Sequence, residues 1–191
     1  MKNLILFAHP NPASFSAGVK EAVENLLKSQ GEEVIVRDLY GMNFEPRLSG
    51  QDFESFQKGT IPSDIATEQA FISQAERIIL IFPTWWSSMP AILKGYIDRV
   101  FSYGFAYAIG QNGVERLLSG KKAVIVTPQG TPAEIYETNG FYKSFEITQD
   151  IGIFNYCGIE VSEHFNLAAV TSVDEATRKN YIDQVLTFFR K

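Results

Sequence analysis

The chain has 191 residues, is 45% hydrophobic and 13% aromatic, and carries a formal net charge of −5. It is long enough to bury a sizeable core and too apolar to be disordered, and its acidic balance with no lysine/arginine cluster argues against non-specific nucleic-acid binding. A single cysteine, Cys157, rules out an intrachain disulfide and any Cys–Cys metal spacing, and no apolar run approaches bilayer length. The expected setting is therefore the cytoplasm, with no transmembrane segment.

In chain order, residues 4–8 read as a buried strand ended by His9-Pro10-Asn11-Pro12. Val19, Val23, Leu26 and Leu27 recur at helical spacing over residues 16–30, and Gly31 supplies the stop. Residues 33–39 alternate as a second strand, and residues 41–62 show little periodicity and read as a long excursion. A helix is expected over residues 63–75. Residues 77–82 form a continuous, β-branched third strand that is expected to be buried on both faces. Pro90 opens a helix to about residue 101.

The fourth strand is expected at residues 123–127, followed by the loop Pro128-Gln129-Gly130-Thr131-Pro132. A helix follows over residues 142–157, with Gly158 as its stop. A fifth strand lies within residues 161–170. Ser172 and Glu175 make an S-x-x-E capping pattern before a last helix, which carries Ile182, Val185, Leu186 and Phe189 on one stripe. Strands alternate with helices and no linker divides the chain. That pattern predicts one α/β domain spanning residues 1–191, a doubly wound five-stranded parallel sheet of flavodoxin-like order 2-1-3-4-5 with helices on both faces.

In that topology the loops after strands 1, 3 and 4 (residues 9–16, 83–88 and 128–136) meet at the carboxyl edge of the sheet, where open α/β folds bind ligands. The first holds His9, Ser14 and Ser16 before a helix. Free amides and hydroxyls there suit a phosphate, and the serines equally suit simple helix capping. The second presents Trp85 and Trp86 between prolines, suited to stacking on a flat ring. In the third, Gly130 lets backbone approach a ligand. Tyr136 offers a hydroxyl to a carbonyl substrate or serves as a structural residue.

Absent motifs narrow the chemistry. There is no G-x-x-x-x-G-K-[ST], no G-x-G-x-x-G and no G-x-S-x-G. The two histidines, His9 and His164, have no hydrolase or zinc-site context, and no metal is expected. A flat-ligand pocket with few reactive side chains points to a cofactor that carries the reaction.

Three segments share a further pattern: H-P-N-P-A-S-F-S at residues 9–16, V-R-D-L-Y-G-M-N-F-E-P at residues 36–46, and F-P-T-W-W-S-S-M-P-A-I-L-K-G-Y-I-D-R-V-F-S-Y-G-F-A-Y at residues 82–107. They resemble the NAD(P)H:quinone oxidoreductases of the DT-diaphorase type, flavoproteins of the flavodoxin-like fold. The resemblance implies a flavin, FMN or FAD, and NADPH or NADH as hydride donor. It further implies ping-pong transfer to a quinone or similar planar acceptor, in a homodimer with shared active sites. It puts His9, Ser14, Phe15 and Ser16 at the phosphate and ribityl loop, Pro83, Thr84, Trp85 and Trp86 at the flavin ring, and Gln129, Gly130 and Thr131 in the third cofactor loop. Ser16 replaces a common asparagine, and the third loop departs from the usual T-T-G-G.

The resemblance also makes Trp86, Phe105, Tyr107 and Tyr136 substrate-pocket residues, with Phe105 and Tyr107 reaching the partner subunit's pocket. Ile109 replaces a second pocket tyrosine. The family pairs a catalytic tyrosine with a histidine. Here Tyr136 matches the tyrosine, and Tyr142 stands where the histidine is expected. Two other activities remain as alternatives: an ancillary regulatory flavoprotein subunit of a potassium-efflux system, and a flavodoxin-type electron carrier. The aromatic set after Phe101 argues against the carrier, which needs an exposed flavin edge.

Overall fold

A computed structural model describes residues 1–190. Strand β1 (Lys2–Phe7) leads to helix α1 (Phe15–Ser29) and strand β2 (Glu33–Asp38), and helices α2 (Gly50–Gln57) and α3 (Ser63–Gln74) precede β3 (Arg77–Ile81). Helix α4 (Ala91–Val100) is followed by a hairpin of β4 (Tyr107–Gly110) and β5 (Gly113–Arg116), then by β6 (Lys122–Pro128). Short helices α5 (Ala133–Thr138) and α6 (Phe141–Phe145) run into a π-helix (Glu146–Asn155), and β7 (Glu160–Leu167) and α7 (Glu175–Phe189) complete the chain.

The main sheet has the order β2-β1-β3-β6-β7, with every pairing parallel. Without the separate hairpin, this is the expected order 2-1-3-4-5. Side chains alternate across a strand, and here both faces are apolar. Leu4, Leu6, Ile78, Leu80, Ala123 and Ile125 join one core layer with α4 residues Leu93, Tyr96 and Val100. Ile5, Phe7, Ile79, Ile81, Val124 and Val126 join the other, with Val19, Val23 and Leu27 of α1 and Val185 and Phe189 of α7. The unbroken apolar runs are thus the signature of strands covered by helices on both sides.

Four local expectations are corrected. The excursion over residues 41–62 contains α2, opened by a capping box in which the Ser49 hydroxyl accepts from the Asp52 amide and the Asp52 carboxylate accepts from the Ser49 amide. The β4–β5 hairpin was not anticipated, because β5 is exposed throughout and shows no buried alternation. The expected helix over residues 142–157 widens into a π-helix across most of its length. The last helix is capped by Asp174, whose carboxylate accepts from the Thr177 amide at 2.8 Å, while the Ser172 hydroxyl instead donates to the Ala169 carbonyl.

Helix α4 lies tightly under the 42–49 segment: a Cβ at Gly95 would overlap the Pro46 carbonyl. On the same helix, Arg99 is buried, with a bidentate contact to Asp52 at 3.0 and 3.1 Å, a 2.6 Å contact to Asp64 and a 2.9 Å bond to the Glu45 carbonyl. This ion cluster ties α2 and α3 to α4. It borders a polar cavity of about 810 Å³.

Candidate functional site

The ends of β1, β3 and β6 deliver their loops to one cleft of about 800 Å³. The first loop is shaped by local hydrogen bonds. The Asn11 amide donates to His9 Nδ1 at 3.0 Å, and the Ala13 amide donates to Asn11 Oδ1 at 2.9 Å. His9 Nδ1 also lies 3.1 Å from the Asn11 carbonyl, so this nitrogen is taken up by the loop and Nε2 is the one left to a ligand. The Ser14 hydroxyl accepts from the Ala17 amide at 3.1 Å, so Ser14 caps α1. The amides of Phe15 and Ser16, both lining the cleft, lie in the first turn, where no intrahelical acceptor exists. The helix N-terminus also places partial positive charge there.

The second loop is a two-residue turn. The Trp85 amide donates to the Ser88 carbonyl at 2.9 Å and the Ser88 amide to the Trp85 carbonyl at 3.0 Å. The central residues Trp86 and Ser87 both sit at positive φ, 49° and 57°. This is the geometry of a type I′ turn, which favours Asn-Gly and disfavours a tryptophan. Trp86 is fully exposed, so its ring does no packing work within the chain. Trp85 meets His9 edge-on, with ring centroids 5.9 Å apart. Trp86→Gly is therefore expected to raise folding stability by about 1 kcal/mol, since glycine accepts a left-handed φ freely. A lowered denaturation midpoint would show that the indole packs on the protein.

The third loop is pinned from β7. The Gln129 amide donates to the Leu167 carbonyl at 2.8 Å and the Val170 amide to the Gln129 carbonyl at 2.9 Å. Gly130 and Thr131 line the cleft. A Cβ at Gly130 would meet nothing nearer than Thr171 Oγ1 at 3.8 Å. Internal packing thus does not require glycine there, and its missing side chain leaves room on the cleft side.

Of the residues singled out from the sequence, His9, Ser14, Phe15, Ser16, Pro83, Thr84, Trp85, Trp86, Gly130, Thr131 and Tyr136 meet in this one cleft. Gln129 does not line it. Its buried side chain donates to Asn166 Oδ1 at 2.8 Å and accepts from the Tyr142 hydroxyl at 3.3 Å. Tyr142 does not line the cleft either. It stacks on Tyr136 with centroids 5.4 Å and planes 9° apart. Burial raises the Tyr142 pKa above the usual phenol value, with the nearby Glu137 carboxylate adding to the effect. Both tyrosine readings are thus linked: one ring enters the cleft and the other backs it.

Phe105 and Tyr107 lie outside this cleft. Phe105 packs against the core. Tyr107 lines a smaller hollow of about 240 Å³ with Phe101, Tyr156 and Cys157. The Cys157 thiol is buried and its pKa is pushed up to about 11, which leaves it unreactive.

Sequence reasoning missed Arg178. It lies in the first turns of α7, donates to the Val170 carbonyl at 3.1 Å and lines the cleft. It brings a fixed positive charge to the side opened by the 169–171 loop. Nothing in its local sequence marks it, because its approach to the cleft depends on how α7 folds back beside β7. Asn11, Ser87, Val170 and Thr171 were also not singled out. For Asn11 a signal existed: an asparagine two residues before an amide it can accept from is an Asx-turn former.

The donor set fits a flat, anionic cofactor. Unsatisfied helix amides and the Arg178 guanidinium suit phosphate, and the indole pair with the open side of Gly130 suits a planar ring. Among the described residues, no group of histidine, cysteine and carboxylate side chains could hold a metal ion.

Comparison with known proteins agrees with this fold. The family model described as flavodoxin-like fold matches residues 1–188. An uncharacterized NAD(P)H oxidoreductase of Haemophilus influenzae is 40% identical over 184 residues, covering 96% of this chain and 91% of that protein. Human ribosyldihydronicotinamide dehydrogenase [quinone] is 36% identical over 180 residues, 84% of this chain and 78% of that protein. The solved structure of an NAD(P)H:quinone oxidoreductase from Methanothermobacter marburgensis superposes with a TM-score of 0.84 at 32% identity, covering 96% of this chain and 92% of the other. The chain therefore belongs to the NAD(P)H:quinone oxidoreductase family of flavodoxin-like proteins.

Proposed function

We propose that the protein is a flavin-dependent NAD(P)H:quinone oxidoreductase that holds FMN or FAD in the three-loop cleft and works as a homodimer in the cytoplasm. The observation that carries this reading is the convergence of eleven sequence-marked residues on one cleft at the carboxyl edge of β1, β3 and β6. When bound, the flavin supplies two-electron chemistry, taking a hydride from NADPH or NADH and passing it to a quinone or similar planar acceptor.

The chain's own residues bind, orient and exclude water. The Phe15 and Ser16 amides, His9 Nε2 and Arg178 would hold phosphate and ribityl oxygens. Thr84 and the 83–86 backbone would present the ring, and Trp85 and Trp86 would flank it. Amides of Gly130 and Thr131 would stabilise negative charge at the ring's polar edge, as oxyanion donors do. The Tyr136 hydroxyl has no hydrogen-bond partner among the described residues, so it is available to donate to an acceptor carbonyl.

The dimer reading rests on an apolar surface. Tyr103, Ile109, Val114, Leu117 and Tyr156 are all exposed. The edge-on rings of Tyr103 and Tyr107, 5.8 Å apart, and of Tyr107 and Tyr156, 5.4 Å apart, make a rigid aromatic face. Such a patch marks a protein interface. With a second copy seated there, the family resemblance would have Phe105 and Tyr107 face the neighbour's cleft.

Steady-state oxidation of NADPH and NADH with and without a quinone is the direct test. Parallel double-reciprocal lines and quinone-dependent turnover are expected. NAD(P)H oxidation that ignores added quinone would overturn the reading. Tyr136→Phe is expected to slow quinone reduction roughly 10-fold while leaving reduction by NAD(P)H near wild type. Equal slowing of both half-reactions would remove the hydroxyl from the acceptor step.

A further inference from the structure

Beneath the third loop runs a partly buried hydrogen-bond chain, with Thr127 and Gln129 fully buried, that no part of the cleft reading uses. Tyr142 donates to Gln129 Oε1 at 3.3 Å, and Gln129 Nε2 donates to Asn166 Oδ1 at 2.8 Å. Thr127 Oγ1 lies 3.1 Å from the same Asn166 oxygen and 3.4 Å from His164 Nε2. His164 Nδ1 meets Asp150 Oδ1 at 3.0 Å, from the middle of the π-helix. The chain thus spans β6, β7 and the π-helix and ends on the ring that backs Tyr136.

We propose that Asn166 is a positioning residue: by holding the Gln129 amide in one orientation it fixes Tyr142, and through the stacked rings it sets Tyr136 for acceptor reduction. This rests on the reductase reading of the cleft. A glutamine amide has nearly the same shape at both ends, so its orientation is decided by its partners. The Asn166 amide turns its oxygen to both the Thr127 hydroxyl and Gln129 Nε2, and a carbonyl oxygen can only accept. It therefore selects the nitrogen of Gln129 and turns the Gln129 oxygen to Tyr142, which leaves the Tyr142 hydroxyl as a donor. The Tyr136 ring is held between Tyr142 at 5.4 Å, Phe141 at 5.6 Å and Phe145 at 5.8 Å, with no hydrogen bond of its own. Its place in the cleft is thus set by ring packing, and Tyr142 is the one ring of that set with a polar tether. A shift of about 1 Å in a group that meets the substrate is enough to slow a reaction up to roughly 100-fold.

Asn166 uses only its side-chain oxygen in this chain. Asn166→Asp keeps that acceptor, whereas Asn166→Leu removes it and leaves a buried amide donor without a partner. Two readouts test the proposal. In the flavin-free protein, the Gln129 side-chain amide protons are expected to exchange slowly by NMR in wild type and N166D, and to lose that protection in N166L. In stopped-flow, reoxidation of the reduced holoenzyme by a quinone is expected to slow roughly 10-fold in N166L and to stay within about twofold of wild type in N166D. Flavin affinity and the reduction step are expected to be unchanged in both.

Equal amide protection in all three proteins, or a wild-type reoxidation rate in N166L, would overturn the proposal, as would an N166D as slow as N166L. A wild type unable to oxidise NAD(P)H would instead defeat the reductase reading, and the amide protons would still decide whether Asn166 orients Gln129. Should N166L fail to fold, Tyr142→Phe removes the donor at the other end and is expected to give the same slow reoxidation. A wild-type rate there would likewise overturn the proposal.

Discussion

Replacing Arg99 with leucine is expected to destabilise the protein by roughly 3–5 kcal/mol, the cost of leaving a buried charge without its partner. Arg99 is buried, and Asp52 beside it is buried too. The guanidinium spans Asp52 with two bonds and reaches Asp64 and the Glu45 carbonyl with a third nitrogen. Arg99→Lys keeps the charge but not the planar fork, so it is expected to recover only part of the loss. Chemical denaturation at neutral pH checks both variants, and a midpoint for Arg99→Leu near that of wild type would contradict the assignment.

The same cluster has a pH signature. The Arg99 hydrogen bonds hold the Asp52 carboxyl below its ordinary value of 3.8, against burial, which pushes it up; the Ser49 amide helps to lower it. A carboxyl whose pKa is lower in the folded state adds stability that is present above the unfolded value and is lost as pH falls through the folded one. Wild type is therefore expected to lose this contribution on acidification below about pH 4. In Arg99→Leu only the Ser49 hydrogen bonds still oppose burial, so Asp52 protonates more readily than in wild type and protonation relieves the variant. The stability gap between the two proteins should narrow as the pH drops.

Gly130→Val is expected to do the reverse: spare the fold and remove the ligand. A Cβ there meets only Thr171 Oγ1 at ordinary contact distance, and Gly130 is not at positive φ. The added methyls instead enter the cleft that Gly130 lines. Steric overpacking of this kind costs about 1–3 kcal/mol, which weakens flavin binding by roughly 5- to 150-fold. Thermal denaturation of the flavin-free variant should match wild type, while flavin fluorescence quenching should report the lost affinity. An unchanged Kd would place the flavin ring away from the third loop.

The parallel sheet is legible in the sequence because β1, β3 and β6 are continuous apolar runs, and runs of that kind reflect burial on both faces. The cleft is legible because prolines, paired tryptophans and helix-capping serines interrupt those runs at strand ends. Elements held by other means leave weaker traces. Helix α2 keeps Phe53 exposed and buries Asp52, so a capping box and an ion pair stabilise it rather than an apolar stripe. The β4–β5 hairpin exposes most of its side chains and lacks a core-facing alternation.

Long-range partners are the least visible. Arg178 reaches the cleft from the last helix, more than a hundred residues after His9. Gln129 reads as a loop residue beside a glycine, yet its side chain is turned to Asn166, 37 residues on. Tyr142 stands where the family resemblance leads one to expect a histidine, and in the structure it backs Tyr136 by ring stacking. In each case the local sequence names the residue type, and only the tertiary packing assigns its partner.

Titrating the flavin-free protein with FMN and with FAD, followed by tryptophan and flavin fluorescence, is the most direct measurement. The cleft geometry predicts saturable binding of one of them at one flavin per chain. Quenching from Trp85 and Trp86 beside the ring should accompany it, as should a yellow complex that NADPH or NADH bleaches and a quinone restores. A chain that leaves both flavins unquenched and stays colourless after incubation with either would contradict the central claim.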